Sequence, residues 1–124
     1  MAVVSNQTIL AVDDSASMRQ MVCYTLQGAG YTVVQAADGV EALDFARDRE
    51  VDLVLTDVNM PRMDGITLVR ELRAIHSYRY TPVLVLTTES GQEVRQRGKH
   101  AGATGWIVKP FNPELLLKTI ARVL

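Results

Sequence analysis

Five residues with acid, hydroxyl or amine chemistry fall at the ends of short apolar runs in this chain. Asp13 and Asp14 follow Ile9-Leu10-Ala11-Val12, and Asp57 follows Leu53-Val54-Leu55 after one threonine. Thr87 follows Val83-Leu84-Val85-Leu86, and Lys109 follows Trp106-Ile107-Val108. If these runs are strands of one sheet, three carboxylates, a hydroxyl and an ammonium meet at one edge. Three carboxylates in one place repel, and each raises the others' pKa unless a cation sits among them. Lys109 supplies one positive charge, too little for three acids. A hard divalent cation is the natural complement. Mg²⁺ takes oxygen ligands, uses one or two protein carboxylates, keeps waters and leaves a position for a phosphate oxygen. No His or Cys joins the set, which disfavours zinc and soft transition metals. With Mg²⁺ and Lys109 offsetting charge, one carboxylate can attack phosphorus and form an aspartyl phosphate, while the Thr87 hydroxyl donates a further hydrogen bond. There is no Walker loop and no G-x-G-x-x-G, so a bound nucleotide is not expected. The expected donor is a phosphorylated protein or a small reactive phosphate.

The elements that must position these residues are legible as alternating periods. The four runs, together with Tyr31-Thr32-Val33-Val34, are β-branched and continuous, as expected for parallel strands buried on both faces. Between them the spacing becomes helical. Met18, Met21, Val22, Thr25 and Leu26 form one stripe, and Leu117, Ile120, Ala121 and Leu124 form another. Asp38 with Glu41, and Ser90 with Glu93, have capping-box spacing, and Asn112-Pro113 sets a cap before a Pro at N1. Gly28 and Gly30 lie where the first helix should end. A βα alternation of this length predicts a flavodoxin-like (βα)5 domain: a doubly wound, five-stranded parallel sheet with strand order 2-1-3-4-5. In such sheets ligands bind beyond the carboxyl ends of the strands, where the acids and Lys109 collect.

At 124 residues the chain is the size of one domain, with a single unit expected over 1–124. Thirteen Lys+Arg against fourteen Asp+Glu leave a net charge of −1. That provides no overall field toward nucleic acid or an anionic membrane, and neither is an expected partner. The lone Cys23 excludes an internal disulfide and fits a reducing compartment. The N-terminus lacks the basic and apolar regions of a signal peptide, and no apolar run is long enough to span a bilayer. A soluble, cytoplasmic, monomeric domain is expected.

Taken together, Asp13-Asp14-Ser15, the stretch Asp57-Val58-Asn59-Met60-Pro61-Arg62-Met63-Asp64-Gly65, Thr87 two residues before Glu89, and Lys109-Pro110-Phe111 resemble the receiver domain of two-component response regulators, most closely the chemotaxis type. The resemblance covers essentially the whole chain. It implies that Asp57 is the phosphoacceptor. Asp13 and Asp14 would bind or position Mg²⁺, with Asp57 and the backbone carbonyl of Asn59 completing the protein ligands. Thr87 would contact the phosphoryl group and move toward it on activation, Lys109 would pair with it, and the Lys109-Pro110 peptide bond is typically cis in such domains. Trp106 takes the place of the family's switch aromatic, often Tyr or Phe, with an indole bulkier than a phenol. Asn59 and Glu89 sit where the family tunes the lifetime of the phosphoryl group, and the pair resembles that of fast-cycling chemotaxis regulators. The implied donor is the phosphohistidine of a chemotaxis-type sensor kinase. Phosphoryl transfer and release would be self-catalysed by the domain, which is not an enzyme in the ordinary sense.

The chain stops at the end of the fifth helix, so output is expected through protein docking, for example to a flagellar motor switch. A receiver cut from a longer regulator would look the same, and a phosphorelay intermediate or phosphate sink would share all of the chemistry. A more remote rival is an Mg²⁺-dependent phosphohydrolase of the haloacid dehalogenase type. That family carries its nucleophile after strand one in an Asp-x-Asp arrangement, a spacing that Asp13-Asp14 lacks. Elsewhere, Arg95, Arg97, Lys99 and His100 form either a solvated helix face or part of a docking face made by the fourth helix, fifth strand and fifth helix. Met18-Arg19 resembles the face that receivers offer to kinases. Met18 and Met21 are expected in the core, His76 and His100 are isolated, and Asp64-Gly65 is expected to start a helix.

Overall fold

The apolar runs pair edge to edge in a computed structural model of the chain, which describes residues 7–124. β1 (Thr8–Val12), β2 (Thr32–Ala36), β3 (Leu53–Thr56), β4 (Val83–Thr87) and β5 (Gly105–Val108) form one parallel sheet in the order β2-β1-β3-β4-β5. Each strand hands over to a helix: α1 (Ala16–Gly28), α2 (Gly39–Asp48), α3 (Gly65–Arg73), α4 (Gln92–Ala101) and α5 (Pro113–Val123). A short 3-10 turn, His76–Tyr78, precedes β4. This is the flavodoxin-like (βα)5 arrangement and strand order expected from the sequence. The reading of residues 1–6, including the absence of a signal peptide, lies outside the described residues. Among the described residues no helix is long and apolar enough to cross a membrane.

Strand side chains alternate between two cores. Leu10, Val12 and Val54 point to one face, where Ala42, Leu43 and Ala46 of α2 and Leu68, Val69 and Leu72 of α3 cover them. Ile9, Ala11, Leu53, Leu55, Leu84 and Leu86 point to the other, under Val22 and Leu26 of α1 and Leu116 and Ile120 of α5. A smaller cluster of Val58, Ile66 and Val85 carries Val94 of α4 and Trp106. Burial of each such Leu or Ile is worth about 1.5–3 kcal/mol, so helix packing holds the strand ends in register.

Several local expectations are corrected. The central strands β1, β3 and β4 are buried on both faces, but β2 and β5 are edge strands with half-exposed residues, because each lacks a neighbour on one side. The predicted α1 stripe is met at Val22 and Leu26, with Met18 packed against the same core, and fails at Met21. Val22, Cys23 and Leu26 are buried, whereas Met21 is 57% exposed and points outward. In α5, Leu116 and Ile120 carry the buried stripe and Ala121 faces out. A solvent-facing Met or Ala has no periodicity of its own, and the contiguous apolar residues left two stripes open.

Asp38, Asp64 and Asn112 cap α2, α3 and α5, accepting from the amides of Glu41, Thr67 and Leu115. The Ser90–Glu93 box does not form. α4 begins at Gly91 with no side-chain cap, since the segment before it is committed to the site. Gly30 and Gly102 take positive φ angles of 99° and 110° at the exits of α1 and α4.

Candidate functional site

The ladder between strands continues one residue past β1 and β3. Asp13 N–H donates to Ala36 O at 3.2 Å, and Asp57 N–H donates to Val12 O at 3.0 Å. The two carboxylates are therefore delivered side by side at the carboxyl edge of the sheet. Gly65 makes this edge possible, since a Cβ there would sit 1.9 Å from the Asp57 carbonyl oxygen. The loop from Asp57 must fold back this tightly, and Gly65 N–H closes it on Val58 O at 2.8 Å.

Lys109 reaches across from the end of β5. Its Nζ donates to Asp13 Oδ2 at 2.7 Å and to Asp57 Oδ2 at 2.9 Å, and the three side chains are only 8%, 9% and 12% exposed. Burial alone would push the ammonium down. The hydrogen bonds and charges of the two carboxylates outweigh it and hold Lys109 above the ordinary lysine value. The other oxygens take backbone donors: Ser15 N–H to Asp13 Oδ1 at 2.9 Å, and Val58 N–H to Asp57 Oδ1 at 2.6 Å. Asp14 stands exposed beside them, and one carboxylate oxygen from each of the three acids lies within 4.8 Å of the others. The Lys109-Pro110 bond is cis, as the resemblance implied.

This donor set fits a hard cation. It is all oxygen, three carboxylates face one ammonium, and Asp13 and Asp57 each use only two of roughly four acceptor positions. Mg²⁺ suits it better than zinc, since among the described residues no His or Cys joins the cluster.

A second group of predicted residues is assembled around Glu89. Asn59 Nδ2 donates to Glu89 Oε2 at 2.9 Å, Glu89 N–H donates to Thr87 Oγ1 at 3.2 Å, and the Trp106 indole N–H donates to Glu89 O at 2.9 Å. Thr87 is fully buried. The two groups meet where Lys109 N–H donates to Thr87 O at 2.8 Å, although Thr87 makes no hydrogen bond to the carboxylates. Trp106 is half-buried, its six-membered ring against Gly98 of α4, where a Cβ would approach Cζ3 to 2.6 Å.

Sequence reasoning missed two supporting arginines. Arg19 was read only as part of an outward α1 face, yet its guanidinium donates to the Asp13 carbonyl at 2.5 Å. Arg62 ion-pairs with the buried Asp38 at 2.8 Å. A buried Asp at a helix cap hints at a cation nearby, but no spacing rule says which one. The basic residues Arg95, Arg97, Lys99 and His100 of α4 are all exposed.

The sequence pattern of the response regulator receiver domain matches residues 9–121. A chemotaxis protein CheY homolog of Campylobacter jejuni is 39% identical over 118 residues, 94% of this chain and 91% of that protein. The solved structure of the chemotaxis response regulator CheY4 of Vibrio cholerae superposes with a TM-score of 0.92 at 56% identity, covering 97% of this chain and all of that one. The receiver domain of the sensor histidine kinase PA1611 from Pseudomonas aeruginosa, solved with a magnesium ion coordinated in its active-site cleft, gives a TM-score of 0.89 at 31% identity. It covers 95% of this chain and 97% of that one.

Proposed function

The chain belongs to the response regulator receiver family, and from that membership we propose that it is a phosphorylation-activated switch of the chemotaxis class whose phosphoacceptor is Asp57. The observation that carries this reading is the buried Lys109 ammonium shared by Asp13 and Asp57, with Asp14 alongside. Lysine so placed neutralises charge where a phosphoryl group would arrive and leaves carboxylate oxygens available. Asp13, Asp14, Asp57 and the Asn59 carbonyl would hold Mg²⁺. When bound, the metal supplies positive charge to offset the oxygens of the transferring group.

A carboxylate oxygen of Asp57 forms the new O–P bond as the P–N bond of a sensor kinase phosphohistidine breaks, with the electron pair returning to the imidazole nitrogen. Lys109 orients that carboxylate and balances charge through the transfer. The Thr87 hydroxyl, now held by Glu89 N–H, donates to the phosphoryl oxygens once the β4–α4 segment moves. That movement pulls on Trp106 through the Glu89 carbonyl and shifts the α4-β5-α5 face. The docking target of that face is a protein such as a flagellar motor switch, and the domain acts in the cytoplasm as a monomer. Asn59 and Glu89, hydrogen-bonded to each other, set how readily water reaches the acyl phosphate. Family membership sets aside the phosphohydrolase rival, whose nucleophile follows the first strand.

The test is intact mass after incubation with acetyl phosphate, with and without Mg²⁺, for wild type and Asp57→Asn. The expected outcome is one phosphoryl adduct on the wild type that needs Mg²⁺ and is absent from the variant. An adduct that persists in Asp57→Asn sinks the assignment of Asp57. For a receiver that takes phosphate only from its kinase, beryllofluoride replaces the donor, and failure of wild type to bind it would end the reading.

A further inference from the structure

Arg62 is the only described residue other than glycine with a positive φ, at 67°. Met63 N–H donates back to Pro61 O at 2.7 Å, so Arg62 is the middle residue of a three-residue turn of the uncommon kind. Glycine or asparagine adopts this backbone readily, and a long side chain there needs something that over-determines it. Two features do so. The Nε and Nη2 atoms of Arg62 both reach Asp38 Oδ2 at 2.8 Å, and Asp38 is buried at the start of α2, its Oδ1 capping Glu41 N–H. The neighbouring Met63 is seated directly on α2, where a Cβ on Gly39 would come within 2.8 Å of the Met63 carbonyl.

The segment between Asp57 and Gly65 is thus fastened at both ends. Its base is closed by Gly65 against Asp57, and its tip is fastened to α2 by Arg62 and Met63. Asn59 lies between the two fastenings. We infer that Arg62 is a positioning residue for the metal edge of the site: its ion pair with Asp38 holds the loop tip on α2 and keeps the Asn59 backbone at the carboxylate cluster. The ion pair would be marginal between two exposed side chains. Here the carboxylate is buried although Arg62 is 59% exposed, so losing the arginine strands a partly desolvated charge and the pair holds more firmly than one between two exposed side chains. This inference rests on the reading of Asp13, Asp14, Asp57 and Asn59 as the Mg²⁺ ligands.

The experiment compares wild type, Arg62→Asn, Asp38→Asn and the double variant. Asparagine at 62 accepts the backbone conformation, and asparagine at 38 retains the helix cap, so each removes the ion pair alone. Amide hydrogen exchange in Mg²⁺-free protein and Mg²⁺ titration by NMR are the two readouts. Exchange at the amides of Asn59, Met60 and Met63 should accelerate in both single variants while that of Glu41 does not. Mg²⁺ affinity should fall about tenfold in each, the size expected when a partner that orients a ligand is lost. The double variant should be no worse than either single one, since both remove the same contact. Faster loop exchange with unaltered Mg²⁺ affinity would make Arg62 merely structural and overturn the inference, as would additive losses in the double variant. Wild type that fails to bind Mg²⁺ would overturn the metal reading itself, whereas wild-type binding with unaltered variants overturns only the role of Arg62.

Discussion

At the scale of single residues, Lys109 has two effects that a substitution separates. Its ammonium occupies Oδ2 of both Asp13 and Asp57 and repels any cation nearby. Lys109→Ala should therefore bind Mg²⁺ at least as tightly as wild type, while phosphorylation from acetyl phosphate slows about a hundredfold, as when one charge-stabilising donor is removed. NMR titration and the time course of the mass adduct give the two numbers. A parallel loss of both would mean that Lys109 serves only to hold the two carboxylates in place. Asp13, Asp14, Asp57 and Lys109 were legible because each ends an apolar run, and a parallel sheet must bring such ends together. The supporting arginines, Arg19 on the Asp13 carbonyl and Arg62 on the Asp38 carboxylate, were not. Arginine reaches its partner through several rotatable bonds, so neither periodicity nor strand position says where its guanidinium ends.

At the scale of elements, α4 is fitted to an indole. The Trp106 ring lies against Gly98, where a Cβ would come within 2.6 Å of Cζ3. Gly98→Ala improves helix propensity by roughly 1 kcal/mol but inserts a methyl where 2.6 Å separates it from Cζ3. Overpacking of this kind costs about 1–3 kcal/mol. The net expectation is a loss of stability in urea unfolding and a shift of the Trp106 indole N–H resonance, because the ring must leave Glu89 O. A more stable variant with an unmoved resonance would show that α4 slides to make room. The edges of the sheet and the outward turn of Met21 on α1 were the least legible features. Tyr31-Thr32-Val33-Val34 reads like a central strand, and only the absence of a partner beyond it leaves β2 half-exposed. The missing Ser90 cap has the same origin, since the β4–α4 segment is shaped by Glu89 and its three hydrogen-bonded partners rather than by the helix that follows.

At the scale of the whole molecule, the end of the sheet opposite the site is pinned by two polar side chains, the half-buried Arg73 and the fully buried Tyr78. Arg73 donates to the carbonyls of Tyr78, Thr81 and Gly102 at 2.7, 2.6 and 2.9 Å, tying α3, the start of β4 and the exit of α4 together. The fully buried Tyr78 hydroxyl donates to Arg49 O at 2.6 Å and accepts from Val51 N–H at 3.1 Å. Burial is the main cause that pushes the Tyr78 phenol above its usual 10.0, opposed by the Val51 bond. A raised folded-state value means that this contribution to stability is fully present below pH 10 and is lost as pH rises through the folded value. Urea midpoints should accordingly fall above pH 10, and Tyr78→Phe should remove that part of the fall. The variant should also cost about 1–3 kcal/mol at neutral pH for the stranded Arg49 and Val51 groups. A wild-type midpoint unchanged above pH 10 would contradict the buried phenol. The chain order of strands and helices was legible throughout, but this clamp was not, because its acceptors are backbone carbonyls that carry no sequence signature. Trp106 is the sole tryptophan of the chain, so all indole fluorescence of this protein comes from one ring hydrogen-bonded to Glu89 O. If the Glu89 segment moves on phosphorylation as proposed, that emission should change with it, which would make the unlabelled protein its own optical probe of whether the site is occupied.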